Sequence, residues 1–206
     1  MKRRWLIPAA GVVAVAAAAL SLVLPGPPLE REVLVDIPRG AGSLGMARAL
    51  AGAGVIGHEW QFLALRALHP RARLQAGEYQ FRRPASPRTI FDRLCRGDVY
   101  FRELTVPEGY TIFDIAEALD RLGGIGGRGF LEAAADVSPI RDLAPEARSL
   151  EGFLFPDTYR ITKRTTAGEL CLQMTNRFRK AWAEVGGSGP VLETVTMASL
   201  IEKETA

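Results

Sequence analysis

The chain has 206 residues, 24% of them charged and 48% hydrophobic, with a formal net charge of +3 and a pI near 9.1. Those proportions exclude a disordered chain and, past an apolar N-terminus, leave enough length for one large or two small domains with a core. Only two histidines and two cysteines are present, with no HExxH and no CxxC, so neither a metal centre, a cofactor nor a histidine-dependent triad is expected.

The first element is an uncharged run from Trp5 to Leu24, the roughly 20 residues a helix needs to cross a bilayer. Lys2, Arg3 and Arg4 precede it and Pro25-Gly26-Pro27-Pro28 follows, which puts residues 1–4 in the cytoplasm as a tail, 5–24 in the membrane and 25–31 in a linker. A cleaved signal is the alternative, but the apolar core is long for one. The remainder is then expected outside the cytoplasmic membrane, where nucleic acid is not an expected partner. Arginines such as Arg71, Arg73, Arg82, Arg83 and Arg88 suit anionic lipid or wall polymer there.

Past the linker, Val33, Val35 and Ile37 alternate as in a half-buried strand, and Pro38-Arg39-Gly40 ends it. Ser43 is placed to cap a helix bearing Leu44, Ala47, Leu50 and Ala51, and a second helix runs from His58 to Leu68. Gly77 to Phe81 reads as a strand. Ser86-Pro87 starts a short helix with Ile90, Phe91, Leu94 and Cys95 on one face, stopped at Gly97. A strand is expected over Val99–Val106, followed by a Pro107-Glu108-Gly109 turn. Thr111 and Asp114 then form a capping box for a helix with Ile112, Ile115, Leu119 and Leu122 inward.

The glycine-rich stretch from Gly123 to Gly129 lacks the Gly-Lys-Ser/Thr ending of a phosphate loop and reads as a flexible loop, with a short helix over 130–136. Glu151 to Ile161 reads as an aromatic, extended segment. Thr166 and Glu169 form another capping box, opening a helix with Cys171, Met174, Phe178 and Trp182 at core spacing. Cys95 and Cys171 each sit among apolar residues, so a disulfide and two buried thiols both remain open.

The last helix opens after Gly189-Pro190. At 100° per residue, Val191, Val195, Ala198 and Glu202 share one stripe, which places a carboxylate where a core residue is expected. Apolar surroundings raise a carboxyl pKa, and such an acid can protonate a glycosidic oxygen. Pairing to an arginine, or exposure on a fraying turn, are the plainer alternatives for Glu202.

The segment Met197-Ala198-Ser199-Leu200-Ile201-Glu202-Lys203-Glu204-Thr205 resembles the Ala-Ser-(apolar)₂-Glu-Lys-Glu-Thr motif of the YceG-like, or MltG, endolytic murein transglycosylases. Leu150-Glu151-Gly152-Phe153-Leu154-Phe155-Pro156-Asp157-Thr158-Tyr159 resembles the second signature of that family. The resemblance implies an α+β fold with an N-terminal transmembrane helix, a LysM-like α/β module over 32–106 and a mixed α+β catalytic domain over 107–206. It also implies that the chain is C-terminally truncated and has little activity alone.

Position by position, the resemblance implies that Glu202 is the catalytic acid and base. Cleavage would fall between N-acetylmuramic acid and N-acetylglucosamine, leaving 1,6-anhydro ends on nascent peptidoglycan strands. It further implies an enzyme anchored in the cell inner membrane and partners among the wall-synthesis enzymes. Glu151, Phe155, Asp157 and Tyr159 are candidate substrate-binding residues, although turn anchoring for the two carboxylates and core packing for the two aromatics are the plainer readings. A non-catalytic, membrane-anchored glycan-binding or scaffold module is the competing function, and a water-using hydrolase a third.

Overall fold

The computed structural model describes residues 6–205; the basic flank Lys2, Arg3 and Arg4, together with Trp5 and Ala206, lies outside the described residues. The fold is α+β, and it divides between Tyr100 and Phe101 into two compact units, each with its own two-stranded antiparallel sheet. Expectation put the end of the first module at Val106. The strand read over Val99–Val106 is shorter, Arg102–Thr105, and its pairing with Thr158–Ile161 draws it into the second unit.

The first unit opens with α1 (Leu6–Val23), followed by β1 (Val33–Ile37), α2 (Ser43–Gly52), α3 (Glu59–Leu68), β2 (Gly77–Phe81) and α4 (Pro87–Arg96). Strands β1 and β2 pair with Val35 opposite Tyr79 and Val33 opposite Phe81, so the alternating residues read in the sequence share a face. That face closes on Met46, Ala47 and Leu50 of α2, Phe62 and Leu65 of α3, and Ile90, Phe91 and Leu94 of α4. Helix α4 starts as its sequence requires: Ser86 Oγ accepts from Thr89 N at 3.1 Å, and Pro87 occupies the first turn. Ser43 does not cap α2; it lies inside the helix, and the capping position falls on Gly42.

Helix α1 is 18 residues long, about 27 Å at the α-helical rise. Among the described residues no helix is long and apolar enough to cross a membrane, and the expected span begins at Trp5, outside them. The expected linker is not loose: Gly26 N donates to Ala85 O at 3.0 Å and Leu29 packs on the core of the unit. The end of the expected span is fastened as well, with Gln61 Nε2 donating to Ser21 O at 3.2 Å and Leu22 packed on the same core.

The second unit contains β3 (Arg102–Thr105), α5 (Ile112–Leu122), α6 (Gly127–Ala134), a 3-10 turn (Ser138–Ile140), β4 (Thr158–Ile161), α7 (Ala167–Glu184) and α8 (Val191–Thr205). Both capping boxes read in the sequence form: Asp114 N donates to Thr111 Oγ1 at 3.3 Å, and Glu169 N to Thr166 Oγ1 at 3.2 Å. The glycine-rich stretch is only partly a loop. Helix α6 begins inside it at Gly127, whose N–H donates to Asp120 Oδ1 at 2.7 Å, so a carboxylate from α5 caps a helix without a capping side chain of its own. The core joins Leu104, Ile115, Leu119, Phe130, Phe153, Tyr159, Met174 and Phe178, with Phe153 edge-on to Phe178 at 5.4 Å between ring centres.

Candidate functional site

Helix α8 packs through its first two turns only. Val191 is buried, Leu192 and Val195 lie against the core of the second unit, and Met197, Leu200 and Ile201 are each more than half exposed. Ala198 and Glu202 are exposed as well, so the stripe that begins at Val191 does not continue as a buried face and the expected apolar surroundings of Glu202 are not found. The reason lies in the packing: what α8 meets is the 150–155 segment beside Val195, two turns before Glu202.

That segment is tightly fitted. Gly152 has φ +81, and a Cβ on it would come within 2.8 Å of Val195 Cγ1, so only glycine lets the turn lie this close to α8. Beside it, Glu151 Oε2 accepts from Ile112 N at 3.0 Å, at the first turn of α5. Glu151 thus anchors backbone, as its plainer reading held, but at α5 rather than around Pro156. One dipeptide therefore lies against both the start of α5 and the second turn of α8.

The consequence appears at Glu202. The Pro107-Glu108-Gly109 turn leads into α5, and a Cβ placed on Gly109, whose φ is +78, would sit 3.6 Å from Glu202 Oε1. Backbone without a side chain thus borders the carboxylate on one side. Tyr110 follows directly and is 39% exposed, and Phe113 in the first turn of α5 is 67% exposed. Sequence reading treated Pro107–Gly109 only as a turn. The available signal was a glycine followed by an aromatic residue between a strand and a capping box.

The other candidates lie away from this edge in a connected group of their own. Asp157 forms an ion pair with Arg177 at 3.0 Å, and its carboxyl is held below the usual range by the Thr158 N–H and then by Arg177. Arg177 also stacks over Phe155, 4.5 Å from the ring centre. Tyr159 is buried, donates its hydroxyl to Phe155 O, and has its pKa pushed up to about 12 by that burial. Phe155 and Tyr159 are thus packing residues, and Asp157 and Arg177 brace the approach to β4.

Cys95 and Cys171 are both free thiols, and burial raises both pKa values, that of Cys171 to about 11. Among the described residues no cluster of histidine, cysteine, aspartate or glutamate could hold a metal ion. The chemistry within reach at Glu202 is proton transfer by one carboxyl group beside an open backbone turn.

Comparison with known proteins places this geometry in context. The model of the YceG-like family matches residues 35–206. The endolytic murein transglycosylases of Streptococcus pneumoniae strains D39 and R6 are each 27% identical over 209 residues, covering 86% of this chain. The chain spans 38% of the length of these curated relatives. A solved YceG-like protein from Listeria monocytogenes is similar over 76% of this chain and 57% of its own, with 22% identity and a TM-score of 0.35.

Proposed function

Because the chain belongs to the YceG-like family, we propose that it acts as an endolytic murein transglycosylase with Glu202 as its acid and base. The observation that carries this is the placement of an exposed Glu202 in α8 beside the side-chain-free turn at Gly109. Glu202 gives its proton to the bridging oxygen as the bond to C1 of N-acetylmuramic acid breaks. N-acetylglucosamine leaves with a free 4-hydroxyl. The Glu202 carboxylate then takes the proton of the C6 hydroxyl, O6 bonds to C1, and the acid is regenerated. A 1,6-anhydro end results without water, and since the nucleophile is intramolecular no second carboxylate is needed.

The strand-helix-helix-strand order of the first unit supports a LysM-like, glycan-binding role for it. An anchor is supported by the absence of charge from Trp5 to Leu24 and by Lys2, Arg3 and Arg4 ahead of it. An anchored enzyme would meet glycan as it emerges at the outer face of the inner membrane, within reach of wall-synthesis enzymes. The 206-residue chain by itself is expected to be slow, since an exposed Glu202 lacks the shielding a general acid uses.

The test is digestion of purified glycan strands with mass spectrometry of the product ends. Anhydro ends are expected, falling by at least about a hundredfold in Glu202→Gln. Reducing ends in their place would identify a hydrolase. The exposure of Glu202 favours one second reading, a non-catalytic glycan-binding module, which unchanged cleavage in Glu202→Gln together with retained glycan binding would support.

A further inference from the structure

The two aromatic residues named as candidates for substrate binding are engaged elsewhere, Tyr159 in the core and Phe155 beneath Arg177. A glycan site still needs a ring face. Sugars present a patch of C–H groups on one side and hydroxyls around the edge, and they bind where an exposed aromatic ring lies beside a polar group. In the second unit that combination occurs beside Glu202, where the Gly109 turn borders the carboxylate and Tyr110 extends from the next residue.

We propose that the Gly109–Tyr110 turn is a subsite for an N-acetylated sugar, with Tyr110 as the platform on which the sugar beside the scissile bond rests. This rests on the transglycosylase reading and names part of its substrate contact. Three features support it. Tyr110 is 39% exposed. It follows directly on Gly109, whose backbone borders Glu202 Oε1. The turn is also held at both of its following residues: Thr111 N donates to Asp114 Oδ2 at 2.9 Å, and Ile112 N to Glu151 Oε2 at 3.0 Å. A ring carried on a fixed turn gives up little freedom when a sugar binds, which is what a platform requires.

Binding of tetra-N-acetylchitotetraose to the 206-residue protein tests the proposal, measured by calorimetric titration alongside thermal melting. Tyr110→Ala is expected to weaken binding by about three- to tenfold, the scale of one aromatic stacking contact, with the melting temperature unchanged. Tyr110→Trp is expected to restore it, since a ring face and not the hydroxyl is what the site uses. Equal affinity at every site of the titration in Tyr110→Ala overturns the subsite while leaving the transglycosylase reading standing. Weaker binding that Trp does not restore, accompanied by a lower melting temperature, also overturns it. Absence of binding by the unaltered protein overturns the glycan reading and the subsite together. Cleavage lost in Glu202→Gln with binding retained supports the reading independently of Tyr110.

Discussion

Glu151 shows how a residue can bear on a candidate site through the backbone it holds. Its carboxylate occupies the start of α5, where the first backbone N–H groups have no partner within the helix and a negative charge is favourable. Replacement by alanine leaves Ile112 N without its acceptor, and we expect a loss of about 1 kcal/mol in urea unfolding, the usual value of a capping interaction. Glu151→Gln retains an acceptor oxygen and is expected to recover most of it. Glycan affinity should follow the same order, because the turn that carries Tyr110 is fastened there. If Glu151→Ala unfolds like the unaltered chain, the hydrogen bond to Ile112 is not holding the turn. The motif singles out Glu202 but says nothing of its surroundings. Helical periodicity gives the angle of a residue about the helix axis and says nothing of whether another segment covers that side. Val191 and Ala198 share a stripe, yet one is buried and the other exposed.

At the scale of elements, local signals carried far. Ser86-Pro87, Thr111 with Asp114, and Thr166 with Glu169 each begin a helix where the sequence placed it, because a cap acts within three residues and needs no tertiary partner. A cap that comes from another element has no such local signature: the first N–H of α6, at Gly127, donates to Asp120 of α5. Such polar fastenings also give the second unit an acid sensitivity. Hydrogen bonds hold the carboxyls of Asp114, Asp136 and Asp157 below their ordinary value, and Arg179 takes Asp142 from 3.8 to about 2. A depressed carboxyl contributes stability that is fully present above its unfolded value, near 3.8, and is lost as pH falls through its folded value. The melting temperature is therefore expected to drop between pH 5 and pH 2. Asp142→Asn should show a smaller drop over that window, and an identical drop would remove Arg179–Asp142 from the account.

At the scale of the molecule, charge is divided unequally between the units. Residues 1–100 carry fourteen lysines and arginines against seven acids, whereas residues 101–206 carry twelve against sixteen. The basic pI therefore belongs to the first half. Several of its arginines, among them Arg71 and Arg83, are exposed, and attraction to an anionic surface is worth about 1 kcal/mol for each such side chain close to it. Protein lacking residues 1–24 is expected to sediment with phosphatidylglycerol-containing vesicles and not with neutral ones. The double substitution Arg71→Gln, Arg83→Gln, or raised salt, should release it. Equal sedimentation with both kinds of vesicle would show that the arginines do not set where this unit settles.

The fastening of Ser21 and Gly26 to the first unit has a mechanical meaning. A freely jointed linker would let a helix and the unit after it turn independently, with no orientation passed from one to the other. Here hydrogen bonds to Gln61 and Ala85, together with Leu22 and Leu29 packed on the core, remove that joint. Helix α1 and the first unit share one frame, so the angle at which the helix lies in any surrounding medium is also the angle at which the first unit is presented.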